Sequence, residues 1–176
     1  MMQHAILSAI GSDRPGLVDE VSEFILERGG NIEDSRMVNL RGQFAIMLLV
    51  AAPENTISRL RSEIWQLTLK SGLQAEVRPA TTASGAPLAE AIPYRLRATA
   101  IDQPGLVHRF SHLLHTLHVN IESLDTKLAP APITGAPVFE MEMLLSVPRT
   151  TQISTLREEL RKLSDEINVD WQLGAV

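Results

Sequence analysis

The apolar positions of this chain change period several times, and each change marks an element. Residues 4–11 form a short apolar run that predicts a strand. Leu17, Val18, Val21, Phe24 and Ile25 then recur at helical spacing, with Pro15 expected in the helix's first turn, where its missing N–H costs nothing. Gly29-Gly30 is expected to end that helix as a C-terminal cap. Residues 32–40 predict a second strand, Arg41-Gly42-Gln43 a hairpin turn, and 44–51 a third strand. Pro53 opens a second helix carrying Ile57, Leu60, Ile64 and Leu67, and residues 73–78 close the unit as a fourth strand.

The same order then returns. Residues 94–101 predict a strand, and 105–117 a helix with Leu106, Val107, Phe110, Leu113, Leu114 and Leu117 on one face. Residues 120–128 and 138–147 read as paired strands, 153–163 as a helix and 168–173 as a last strand. The repetition extends to the letters themselves. Asp13-Arg14-Pro15-Gly16-Leu17-Val18 returns as Asp102-Gln103-Pro104-Gly105-Leu106-Val107, 89 positions later, and the same offset maps Asn31-Ile32-Glu33 onto Asn120-Ile121-Glu122. The chain is an internal duplication. The expected class is α+β: two ferredoxin-like βαββαβ domains in tandem, with antiparallel sheets and helices on one face. The domains are expected at 1–79 and 92–176, around a linker of small and turn-forming residues at 80–91.

Two details depart from strict repetition. The second hairpin is longer, with residues 130–135 filling the gap, and is expected to be tolerated decoration, with a partner-binding loop as the minority reading. Residues 44–50 are apolar on both alternating faces, although helices cover only one face of such a sheet. The other face is therefore expected to be covered, by a homodimer packing sheet on sheet or by the second copy folded back.

Composition narrows the function classes. The chain is 44% hydrophobic and 21% charged, which suits a folded globular protein. It has no cysteine, which excludes disulfides and thiolate chemistry. Its net charge is -5 and its 16 basic residues are dispersed, so no basic face is offered to nucleic acid. No apolar run reaches the ~20 residues of a membrane span, and no secretory signal is visible; a cytoplasmic protein is expected.

The repeated junction carries the candidate chemistry. Asp-x-Pro-Gly joins a strand to a helix N-terminus, where free N–H groups and the helix dipole favour a negative ligand group. Gly16 and Gly105 leave room for a ligand carboxylate, Asp13 and Asp102 could accept an ammonium group, and Asn31 and Asn120 at the next junction offer donors and acceptors. These parts suit a free amino acid. They equally suit a helix cap, a close-packed glycine and a turn asparagine. His108, His112 and His115 share a narrow helical stripe, with His118 beyond it, and are expected to be a solvated face, with a pH-sensitive contact surface and a metal site as the minority readings. No serine elbow, phosphate-binding loop or His-Glu-x-x-His is present, and neither a catalytic residue nor a cofactor is expected.

The Asp-x-Pro-Gly-Leu-Val phrase after a strand, with Gly-Gly-Asn-Ile about fifteen residues on, resembles the ACT domain; the second copy carries His118-Val119 in place of Gly29-Gly30. That resemblance implies modules that bind amino acids at interfaces between paired domains and regulate what they are attached to. By position, its ligand contacts fall on Ser12, Asp13, Gly16, Asn31 and Ile32, and on Asp102, Gly105, Asn120 and Ile121. A free-standing tandem of this length is similar to ACT-type regulators of the glycine cleavage system. The resemblance implies a non-catalytic transcriptional repressor of that kind, a homodimer responding to glycine and acting through a DNA-binding partner protein. The alternative is a free-standing regulatory subunit or scaffold for an amino-acid metabolic enzyme.

Overall fold

The structure, a computed structural model, describes residues 2–80, 91–131 and 135–176. Residues 81–90 of the linker expected at 80–91, and the centre of the hairpin insertion, 132–134, lie outside them. The chain divides into two compact units, Met1–Ser84 and Gly85–Val176.

The first unit runs β1 (Met2–Ser12), α1 (Leu17–Glu27), β2 (Asn31–Leu40), β3 (Gln43–Pro53), α2 (Glu54–Ser71) and β4 (Gln74–Pro79). The second runs β5 (Ala91–Ile101), α3 (Leu106–Thr116), β6 (Asn120–Pro130), β7 (Pro137–Pro148), α4 (Ile153–Ile167) and β8 (Asp170–Ala175). Each sheet is antiparallel, ordered β2-β3-β1-β4 and β6-β7-β5-β8. Both units are therefore ferredoxin-like βαββαβ folds.

Alternation along the central strands builds each core. Ala5, Leu7 and Ala9 of β1 and Phe44, Ile46, Leu48 and Val50 of β3 point under α1 and α2, against Leu17, Val21, Ile25, Leu60 and Leu67. The second unit repeats this with Leu96, Met143 and Leu145 beneath Phe110, Leu114, Leu156 and Leu160. Val18 departs from the expected helical face and is 49% exposed.

The helix starts differ from expectation. Pro15 lies in the turn before α1, not in its first turn, because Gly16 is the N-cap. Gly16 and Gly105 both sit at φ 91°, a left-handed conformation that strongly favours glycine. The helix end is as expected in kind: Gly29 takes φ 82°, its N–H donates to Leu26 O, and Gly30 N–H donates to Ile25 O at 3.0 Å. In the hairpin, Arg41 and Gly42 both have positive φ, the signature of a two-residue type I′ turn.

The outer sheet faces differ between units. In the first unit, Met47 is 54% exposed, Ile10 52% and Leu40 67%, which leaves apolar surface on the face away from the helices. In the second, the same face carries a ladder of ion pairs: Arg97 to Glu142 at 2.6 Å and Lys127 to Glu140 at 2.9 Å. The apolar surplus at 44–50 is reduced in the second unit, where β7 turns Glu140, Glu142 and Ser146 outward, although Ile101 on the same face is 72% exposed.

Candidate ligand site

Ser12 is the last residue of β1 and pairs with Gln43. From there the chain turns into α1 through Asp13, whose N–H donates to Gly42 O at 2.8 Å and whose carboxylate accepts from the Asn39 side-chain amide. Asp13 is thereby tied to the β2–β3 hairpin. No side chain caps the start of α1 or α3. The free N–H groups of those first turns stay available to an anion, with the positive end of the helix dipole behind them. A Cβ on Gly105 would meet nothing within 4 Å, so the surface there is open.

The second residue of the motif has a definite task. Arg14 donates to Ser71 O at 3.4 Å and Gln103 donates to Ile167 O at 2.8 Å, each tethering its loop to the last turn of the neighbouring helix. Both are long side chains with a terminal N–H donor, which is the signal available in the sequence. Arg14 also grips Glu20 through two bonds of 2.8 Å. That hydrogen bonding holds the Glu20 carboxyl below the usual carboxylate range and raises the Arg14 guanidinium. In the second unit Arg109 stands where Glu20 stood, and it pairs with Glu166 at 2.7 Å. Asp102, Gln103, Arg109, Glu166 and Asn168 line a cavity of about 410 Å³ beside the second junction.

Asn31 begins β2 and pairs with Ala51, which pairs in turn with His4. Ile32 packs partly buried against the core. Register slips at Glu33 and again at Glu122, so the repeated Asn-Ile-Glu phrase encodes a β-bulge in both units. The groove beside Asn31 measures about 470 Å³ and is lined by Asp19, Ser22, Ile25 and Leu26 among others.

These two halves of the candidate site do not meet within a unit. Ser12, Asp13 and Gly16 lie at one end of β1, whereas Asn31 and Ile32 lie level with His4 at the other. At about 3.3 Å per strand residue, the ends are about 26 Å apart. Asp102 and Gly105 are separated from Asn120 and Ile121 in the same way, since Asn120 pairs with Ser146 and Ser146 with Pro93.

The histidine stripe lies on the exposed side of α3. The His108 and His112 rings stack at 5.8 Å between centroids and 28° between planes. Among the described residues no three or more His, Asp or Glu side chains are placed to hold a metal ion, and no helix is long and apolar enough to cross a membrane.

The geometry agrees with known proteins. The sequence profile of the ACT domain matches residues 3–78. The glycine cleavage system transcriptional repressor of Escherichia coli (strain K12) is 24% identical over 173 residues, covering 98% of this chain and 90% of that protein. A UPF0237 protein of Methanopyrus kandleri is 35% identical over 79 residues, 44% of this chain and 88% of that protein. The crystal structure of an unknown protein from Galdieria sulphuraria superposes with a TM-score of 0.86 at 28% identity, over 100% of this chain and 99% of that one. The chain belongs to the ACT-domain family, as a tandem of two ferredoxin-like units.

Proposed function

We propose that this protein is a non-catalytic, amino-acid-responsive regulator, similar in role to the glycine cleavage system transcriptional repressor, and that it acts through a DNA-binding partner protein. The observation that carries this reading is the duplicated, uncapped helix start beside an aspartate. Those features suit the carboxylate and ammonium groups of a free amino acid, glycine first. A site that uses both Asp13 and Asn31 has to draw them from two molecules, because one unit holds them at opposite ends of a strand. The proposed site therefore lies across a homodimer, with the Asp-x-Pro-Gly loop of one chain facing the Asn-Ile segment of its partner chain.

Mechanism follows from linkage. A ligand bound between two chains shifts partner binding only by favouring one arrangement of those chains over another, with a coupling on the order of 1–3 kcal/mol. The net charge of -5 supports action through a protein rather than on DNA directly.

Calorimetric titration with glycine tests the reading. Saturable binding that is lost in Asp13→Ala and in Asn31→Ala supports it. Binding that survives both substitutions, or no binding by any of the twenty amino acids, overturns it.

A further inference from the structure

The duplication provides each exposed helix face with an internal comparison. At equivalent positions α1 and α3 carry different charges: Asp19 is matched by His108, Glu20 by Arg109 and Glu23 by His112. The ion pair across each helix seam is reversed to suit. Lys70 of α2 reaches Glu23 at 2.7 Å in the first unit, and Glu166 of α4 reaches Arg109 at 2.7 Å in the second. A face that is merely solvated has no need of one sign. Here one helix keeps an acidic row and its duplicate keeps a row of imidazoles.

The two rows match in spacing. Asp19, Glu23 and Glu27 follow one another at four-residue steps, about 6 Å each along the axis. His108 and His112 have the same step, and His115 comes three residues later. Laid antiparallel, Glu27 faces His108, Glu23 faces His112 and Asp19 faces His115. Both rows are open to a partner: Glu23 and Glu27 side chains are 47% and 64% exposed, and Asp19, His108, His112 and His115 are exposed as well.

We propose that the acidic face of α1 binds the histidine face of α3 on a second copy of this chain, in a contact strengthened by protonation of the imidazoles. Around His108 and His112, the other charged groups are Arg109 on the same helix and Glu159, Lys162 and Glu166 across the groove on α4; β6 contributes none to it. Lys162 pairs with Glu159 at 2.7 Å and Arg109 pairs with Glu166 at 2.7 Å, so the carboxylates of the groove already have cations. The carboxylates that a second chain offers are the exposed Asp19, Glu23 and Glu27, of which Glu23 also meets Lys70 at 2.7 Å and Glu27 meets Arg28 at 3.7 Å. Imidazoles ordinarily charge below about pH 6.5 and carboxylates stay ionised above about pH 4.5, which sets the window in which the contact is strongest.

Sedimentation of the full chain at low salt tests this. Self-association is expected to be about tenfold tighter near pH 6 than near pH 8, a difference of about 1.4 kcal/mol. The pH response is expected to vanish in the double variant His108→Gln/His112→Gln. It is expected to vanish equally in Asp19→Asn/Glu27→Gln, which leaves every histidine in place. Self-association equal at the two pH values, or a pH response that survives either double variant, overturns the proposal.

Discussion

Gly29 and His118 occupy the same backbone position, the left-handed residue that ends α1 and α3, at φ 82° and φ 57°. His118 N–H donates to His115 O at 3.0 Å and Val119 N–H to Leu114 O at 2.9 Å, so the second unit makes the full cap without the residue that suits it. A β-carbon in that conformation costs about 1 kcal/mol. His118→Gly is therefore expected to stabilise the second unit by about 0.5–1 kcal/mol and Gly29→Ala to destabilise the first by a similar amount. Calorimetric melting reads both. A lower melting temperature for His118→Gly would mean that the imidazole makes a contribution larger than its strain.

The next position tests packing rather than conformation. A Cβ on Gly30 would come 2.8 Å from Ile25 Cγ2 and 3.1 Å from Val50 Cγ1, whereas its equivalent Val119 is buried without difficulty. Gly30→Val is expected to cost about 1–3 kcal/mol by overpacking. Urea unfolding with an unchanged midpoint would show that β2 can move away from α1 freely.

Arg28 is the third contrast between the units. Its guanidinium is buried, lies 3.8 Å over the Phe24 ring, and donates to Glu63 at 2.9 Å and Gln66 at 2.7 Å. Leu117 stands at the equivalent place in the second unit. Arg28→Ala is expected to destabilise the first unit by about 2–3 kcal/mol, through lost charged hydrogen bonds between α1 and α2. Arg28→Lys is expected to recover little of this, because an ammonium cannot serve Glu63, Gln66 and the ring together. Equal stability of the Lys variant and the native chain would refute the planar-fork argument.

Acidification provides a fourth test. Hydrogen bonds from Arg14, Arg78 and Arg97 hold the carboxyls of Glu20, Glu76 and Glu142 below the usual range, and the backbone N–H of Ser35, followed by Arg36, does the same for Asp34. A carboxyl lowered in the folded state binds protons more readily when unfolded. Its stabilisation is complete above the ordinary carboxylate range and disappears as pH falls through the folded value. The urea midpoint is expected to fall below about pH 4, and Glu20→Gln to reduce that slope. Asp34, Glu76 and Glu142 are open to solvent and Glu20 is partly covered, so about 0.5 M salt should flatten most of it too. A slope insensitive to both changes would place the titration elsewhere.

Much of the architecture was readable because it rests on local rules. The two periods, the Arg41-Gly42 turn and the glycine at the end of α1 each follow from nearby residues alone. Pro15 was misplaced because Gly16, itself a specialised residue, had already claimed the helix start. Arg28 was invisible: an arginine becomes interior only through partners such as Glu63, which lies 35 positions away. The candidate site was legible as a set of residues but not as a place. Sequence spacing puts Asp13 and Asn31 eighteen positions apart, and only the intervening helix, running back along β1, reveals that they end up at opposite ends of the sheet.

The hairpins give the two units different folding schedules. Two residues, Arg41 and Gly42, close β2 onto β3, whereas six, 131–136, separate β6 from β7. Loop-closure entropy makes the longer connection costlier by about 1 kcal/mol. The short turn also starts its strands already twisted in the right sense, and such hairpins zip within microseconds. The first unit thus has a ready nucleus in its own middle strands. The second closes its middle hairpin at a greater entropic cost, so the unit synthesised first is also the one with the shorter loop to close.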